Sequence, residues 1–197
     1  MTSPYIGLEA SVWGNKTDEL IAQYPLPMDE LVEVVKLSWE GVFASKIGTK
    51  RFQIGKHIFP KPQIIAFFLH ELIPLELTSR YPGVWRGEET AADKDVVYVP
   101  DGAYSMEIKT SSHANQIFGN RSYTQEGAKG KKSKSGYYLA VNFDKSTKGL
   151  PAPRLRKIRF GWLDHSDWQG QLAATGQQAR LSPEVERGKL RLLFEDR

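Results

Sequence analysis

The sequence predicts an α/β fold in which a central mixed β-sheet is flanked by helices, within one domain spanning residues 1–197. Three observations point there. Helical periodicity dominates a first part of about residues 1–80. Paired β-branched and aromatic runs then follow between Asp95 and Leu163. Finally, 197 residues can bury roughly 70% of the surface an unfolded chain exposes, which suits one sizeable core and leaves two cramped.

Taken in order, Thr17-Asp18-Glu19 ahead of Leu20 and Ile21 has the form of a capped helix start. Pro27-Met28-Asp29-Glu30 opens a second helix, with Leu31, Val34, Val35, Leu37 and Val42 apolar, reaching about Ser45. Gly48 to Gly55, rich in Lys, Arg and Gly, reads as a loop or short hairpin. Pro62 suits the first turn of a third helix, and Ile64, Ile65, Phe67, Phe68, Leu69 and Leu72 make that helix apolar nearly all round, so burial is expected, with Pro74 ending or kinking it. After Tyr81-Pro82-Gly83 the period changes to two. Asp95 to Val99, a turn containing Asp101-Gly102, and Tyr104 to Thr110 make the clearest hairpin in the chain. Tyr137 to Phe143 and Lys157 to Leu163 add two strands, and Leu190 to Phe194 a short last one. Helices first and strands afterwards predict helices covering a sheet.

Composition removes several function classes. Hydrophobic residues at 40% and charged residues at 25% match an ordinary globular chain rather than a disordered or fibrous one. No apolar run approaches the roughly 18 residues of a bilayer span, and the N-terminal MTSPYIGLEA has no basic segment ahead of a hydrophobic one, so a cytoplasmic protein with no membrane partner is expected. With no cysteine there are no disulfides, thiolate metal sites or cysteine nucleophile, and any metal must take oxygen or imidazole ligands. The net charge is +4, and the segment 119–136, with Arg121, Lys129, Lys131, Lys132 and Lys134 against Glu126, accounts for all of it. Concentrated positive charge favours a polyanion, usually nucleic acid; a solvated Lys-rich loop is the plainer alternative.

The triplet Glu107-Ile108-Lys109 carries the chemistry. On a strand, alternate residues share a face, so Glu107 and Lys109 face one pocket and Ile108 the core behind. Composition alone would give about one or two acid-x-Lys triplets in such a chain, but this is the only one, and it falls on the best strand. A second carboxylate is needed to hold a divalent ion. Asp101 lies in the turn, about 20 Å from Glu107 along an extended strand, too far to share one. If Asp101-Gly102 is a two-residue turn, Val96 pairs with Glu107 and Asp95 with Ile108, which brings Asp95 beside Glu107; Asp93 replaces it if the turn is longer. One Mg²⁺ held by such carboxylates would stabilise charge on a phosphate and activate water, with Lys109 orienting that water or offsetting the charge. An exposed cross-strand ion pair is the structural alternative.

Asp95, Glu107-Ile108-Lys109 and the following Thr110-Ser111-Ser112 resemble the PD-(D/E)xK nuclease signature, in which an Asp begins one strand of a hairpin and E-x-K lies on the next. The stretch from Glu107 to Tyr123 is similar to type II restriction endonucleases of the ScaI kind, a resemblance covering about residues 90–145. It departs from the named pattern because Lys94 precedes Asp95 and the literal Pro100-Asp101 is misplaced. The resemblance implies a restriction-endonuclease-like core, Mg²⁺ as cofactor, the Ile108 carbonyl as a further metal ligand, Glu71 or Glu76 as a candidate accessory acid, and ends bearing 5′-phosphate and 3′-hydroxyl. It also implies a homodimer on a palindromic double-stranded site, two-fold protein matching two-fold DNA. A structure-specific or repair nuclease of the same fold and a non-catalytic DNA-binding protein are the rival readings.

Beyond Lys109, the side chains of Ser111, Ser112, His113, Asn115, Gln116, Asn120 and Arg121 donate and accept hydrogen bonds of the kind that meet phosphates and base edges, or that simply cap a loop. Lys129, Lys131, Lys132 and Lys134 would grip phosphates. Arg154 and Arg156 fall on one strand face and Lys157 and Arg159 on the other, a pattern that suits ion pairs for at least half of them. His165 with Asp164 and Asp167 reads as a capping group rather than a metal cluster, His57 and His70 have no identifiable partners, and the five tryptophans suit core or interface positions.

Overall fold

The computed structural model describes residues 2–128, 130–150, 153–173 and 175–196. Its helices are α1 (Trp13–Ala22), α2 (Met28–Ala44), α3 (Pro62–Arg80) and α4 (Pro183–Lys189). The strands are β1 (Lys46–Ile47), β2 (Phe52–Gln53), β3 (Trp85–Gly87), β4 (Val96–Tyr98), β5 (Met106–Ser111), β6 (Phe118–Asn120), β7 (Gly136–Phe143), β8 (Leu155–Leu163), β9 (Trp168–Gly170), β10 (Gln178–Leu181) and β11 (Leu190–Glu195).

The main sheet has six strands in the order β11-β8-β7-β5-β4-β3. Only the β5–β7 pair is parallel, so the sheet is mixed. Strict alternation along the central strands builds two cores. Met106, Ile108, Tyr137, Leu139, Val141 and Phe143 face a large core closed by α1, α2 and α3. Tyr138, Ala140 and Leu163 face a smaller one with Ile117, Tyr123, Trp168, Leu181 and Val185. Three helices therefore cover one face, while α4 and a three-stranded antiparallel sheet, β6-β10-β9, cover the other. Parallel strands cannot be joined by a tight turn, so the β5–β7 connection crosses that second face and carries β6, Tyr123 and Lys132 over the edge of the hairpin.

Local pattern and tertiary packing disagree in three places. Helix α1 begins at Trp13, a full turn before the expected cap, and Thr17 lies buried inside it, its hydroxyl donating to the Gly188 carbonyl at 2.8 Å; a partner on α4 has taken the residue that looked like a cap. Helix α2 buries Leu31, Val34, Val35 and Val42 but leaves Leu37 on the outside. Helix α3 buries the stripe Ile65, Leu69, Ile73 and Leu77 together with Pro74, whereas Ile64, Phe67 and Leu75 are 49%, 57% and 60% exposed, so burial all round is corrected to one packed face. It also continues through Pro74 to Arg80, because packing against α2 and β3 outweighs the helix hydrogen bond that proline forgoes.

The hairpin register is shifted by one residue from the expected one. Asp101 caps a one-turn 3₁₀ helix, Gly102–Tyr104, by accepting from the Ala103 N–H at 2.9 Å, and this connection is longer than a two-residue turn. Val96 consequently pairs with Met106, not Glu107. Directly opposed residues of an antiparallel pair share a face, so the same offset continued one step aligns Asp95 with Glu107. Asp93, the alternative for a longer turn, is committed elsewhere: its Oδ2 accepts from Arg86 and from the N–H groups of Glu89 and Thr90, each at 3.0 Å.

Candidate active site

Glu107 and Lys109 point away from the helical core, and Ile108 between them is fully buried in it. Asp95 and Glu107 are 8% and 2% exposed, an expensive state for carboxylates unless they are paired. The pairing is dense. The Ile108 N–H donates to Asp95 Oδ2 at 2.8 Å, which fixes that carboxylate at the edge of β5. Amide and carbonyl of one strand residue point to the same edge, so the Ile108 carbonyl also faces this side, where Lys109 Nζ donates to it at 3.3 Å. Lys109 Nζ further donates to Glu107 Oε1 and to the Tyr123 hydroxyl, both at 2.8 Å, and the Tyr123 hydroxyl donates to Glu107 Oε1.

Between the two carboxylates sits an ammonium group. Lys132 Nζ lies 2.8 Å from Asp95 Oδ1 and 3.1 Å from Glu107 Oε2. Glu107 Oε2 is buried and has this cation near it but no well-directed hydrogen bond. The pocket is thus a pair of hard oxygen donors already arranged around a positive centre, the donor set that suits Mg²⁺. Among the described residues no group of three or more His, Asp or Glu side chains is placed to hold a metal ion, so an ion here would take Asp95, Glu107 and the Ile108 carbonyl and keep water on its remaining positions.

Burial acts to raise the Glu107 pKa, but Lys109 and Lys132 outweigh it and hold the carboxyl well below its usual range. For Lys132 burial opposes the charge and the two carboxylates override it, so its pKa is raised. Burial dominates at Lys94, whose ammonium is pulled down to about 8 while donating to the Ser133 carbonyl at 2.9 Å. Gly136 makes room for it: with φ at +137°, a Cβ there would sit 2.9 Å from Lys94 Cε. His70 reaches the site from α3, with Nδ1 3.5 Å from Asp95 Oδ2; burial lowers its pKa and Asp95 partly restores it.

Other expected residues are placed unevenly. Lys132 does not extend into solvent as a phosphate arm, since the crossover returns its side chain to the carboxylates and its N–H donates to the Ala91 carbonyl at 3.0 Å. Lys134 lies over the Tyr123 ring at 4.4 Å, Lys131 is exposed, and Lys129 falls outside the described residues. Ser111 and His113 cap the turn after β5 by accepting backbone N–H groups, and Asn115 accepts from Lys157 Nζ at 2.6 Å. Ser112 and Gln116 are partly buried and Asn120 is exposed, while Arg121 donates to the Ala173 and Gly176 carbonyls. Glu71 and His70 line a cleft that ends on Asp95, but Glu76 is drawn 3.0 Å from Arg80 and lines no part of it. Arg154 and Arg156 pair with Asp144, Lys157 with Glu195 and Arg159 with Glu186. Asp164 and Asp167 form a capping box at the 3₁₀ turn His165–Asp167, and the His165 N–H donates to the Ser135 hydroxyl.

Tyr123 and His70 are the site residues that sequence reasoning missed, His70 having a partner in Asp95 after all, and Lys132, expected to grip phosphate, lies instead between the carboxylates. The spacing of Tyr123 from Lys109 carries no signal, and Lys132 was hidden in a run of lysines. Among the described residues no helix is long and apolar enough to cross a membrane. The model of the ScaI restriction endonuclease family matches residues 3–194. Among curated proteins, the type II restriction enzyme ScaI of Streptomyces caespitosus is 50% identical over 190 residues, which cover 95% of this chain and 83% of the relative.

Proposed function

Because this chain belongs to the ScaI restriction endonuclease family, we propose that it is a type II restriction endonuclease which hydrolyses double-stranded DNA with Mg²⁺. It does so in the cytoplasm as a homodimer on a short palindromic site, leaving 5′-phosphate and 3′-hydroxyl ends. The observation that carries the reading is the buried carboxylate pair with a cation lodged between its members. Glu107 Oε2 has the Lys132 ammonium at 3.1 Å as its partner, so a divalent ion that took the place of that cation would satisfy the same oxygen.

Asp95, Glu107 and the Ile108 carbonyl would hold the Mg²⁺. When bound, the ion supplies Lewis-acid stabilisation of the scissile phosphate and a more acidic water. The protein's own groups do the rest. Tyr123 and Glu107 hold Lys109 Nζ at a fixed point, where it orients the attacking water and offsets the charge gathering on the phosphate. Tyr123 acts through those two residues and is a positioning group. Lys132 neutralises the two carboxylates, and its ammonium would have to leave this position for an ion to be held there. Lys131 and Lys134 add phosphate contacts, and Ser112, His113, Gln116 and Asn120 border the DNA. The experiment is cleavage of supercoiled plasmid: discrete fragments with Mg²⁺ and none with EDTA support the reading, whereas a smear or no cutting refutes it.

A further inference from the structure

Between Trp168 and Ala179 the chain holds no charged residue, although charged residues make up 25% of it, and holds four of its nine glutamines. The β-pairing sorts these residues onto two faces. Ala179 and Leu181 pair with Gly119 and Trp168 and turn inward to the smaller core. On the outer face Gln178 lies opposite Asn120, and Arg180 lies between Phe118 and Gln169. Asn120, Gln169, Gln178 and Arg180 are exposed, and no carboxylate shares their face. Among the described residues the side chains of Asn120, Gln169 and Arg180 have no hydrogen-bond or ion-pair partner.

This face adjoins the end of the strand that carries Glu107 and Lys109. One cleft runs from Thr110 and Ser111, next after Lys109, to Phe118 and Gln178. A second starts from the same Phe118 and Gln178 and follows Gln169 and Arg180. The sheet is also pinned to the catalytic pocket, because β6 leads directly into the turn that carries Tyr123.

We infer that the outer face of the β9–β10 ribbon lies in the DNA major groove and reads base edges, with Gln169, Gln178 and Arg180 as specificity-determining residues. This rests on the endonuclease reading above. The chemistry selects the partner. A carboxamide offers a donor and an acceptor side by side, matching adenine N6 and N7, and a guanidinium matches guanine O6 and N7. Two strands about 4.8 Å apart form a ribbon that a groove about 12 Å wide admits. Gripping phosphates would call for several cations, and this face has one.

Mapping wild-type cleavage on plasmid DNA first defines the site. Binding is then measured with a duplex carrying that site and with a scrambled duplex, for Gln169→Ala, Gln178→Ala and Arg180→Lys, none of which alters net charge. Each variant should melt like wild type, lose about 10- to 100-fold in affinity for the mapped site, and keep its affinity and salt slope on the scrambled duplex. Equal losses on both duplexes would show a sequence-blind contact, and no loss on either would show a merely solvated face; both overturn the inference. Wild-type protein that yields no discrete fragments overturns the endonuclease reading itself, and does so before any substitution is made.

Discussion

Lys189 and Lys132 are each lodged between two carboxylates, yet they sit in opposite surroundings. Lys189 closes α4 and donates to Asp167 Oδ1 and Oδ2 at 2.8 and 2.9 Å and to Asp164 Oδ2 at 3.3 Å, with the rings of Tyr5 and Trp13 at 4.3 and 4.7 Å from its ammonium. Asp164 also accepts from Ser3 Oγ, and Asp167 from the Asp164 N–H, so that cluster is closed. Lys132 comes from a crossover segment, its side chain is 20% exposed against 5% for Lys189, and it leaves Glu107 Oε2 without a hydrogen bond. One cluster fastens a turn to a helix. The other joins a more exposed lysine to the two buried carboxylates of the candidate active site. Identical residue types thus sit in a closed cluster or in a more open one, and on the proposed reading that openness is what would let a metal ion in.

Substitutions can break this contrast. The largest effect belongs to Glu107→Gln, which keeps the shape and the Oε1 hydrogen bonds but removes a metal-binding charge: plasmid cleavage should fall roughly 10⁴-fold, about 5 kcal/mol of barrier, with DNA binding retained. A variant that still cuts at the wild-type rate would contradict the assignment. Next, Lys189→Met should cost about 3 kcal/mol of folding stability by stranding two buried carboxylates, read from the denaturation midpoint. Its folded fraction should cut DNA normally; a stable but inactive Lys189→Met protein would erase the distinction between the clusters.

A smaller effect is expected at Lys132. Lys132→Gln removes the competitor for the pocket, so Mg²⁺ affinity should rise about tenfold, or about 1.4 kcal/mol. The gain in melting temperature on adding Mg²⁺ should exceed that of wild type, since the metal then replaces the cation that the two carboxylates have lost. Unchanged metal affinity would make Lys132 a bystander. The smallest effect concerns pH. Burial raises the Asp144 pKa, but hydrogen bonds from Arg156 and Arg154 outweigh it and leave the group depressed. A depressed carboxyl adds stability above its unfolded pKa and loses it as the pH falls through the folded value. Asp144→Asn should flatten that part of acid unfolding by less than about 1 kcal/mol, the pair being partly exposed. An acid-unfolding curve identical to that of wild type would show that the pair contributes nothing.

Much of the architecture was legible because it is periodic. The two-residue alternation through Met106-Glu107-Ile108-Lys109 announced which side chains share a face, and the apolar spacing of α2 and α3 announced helices. The register was not, because the 3₁₀ turn at Gly102–Tyr104 depends on an Asp101 cap that looks identical to an Asp-Gly hairpin turn. Helix α4 and the small sheet went unseen because their segments are short and gain their order from packing on Tyr138 and Trp168. His70 reaches the site from α3 and Tyr123 and Lys132 from the β5–β7 crossover, and only the chain's path across the sheet brings them together.

The most direct measurement of the central claim is a calorimetric titration of Mg²⁺ into the wild-type protein and its Glu107→Gln and Asp95→Asn variants, each bound to a duplex whose scissile linkage is non-hydrolysable, with folding verified in each. The account predicts saturable binding by the wild type and its loss in both variants. Equal metal affinity in all three would place the ion elsewhere and contradict the account.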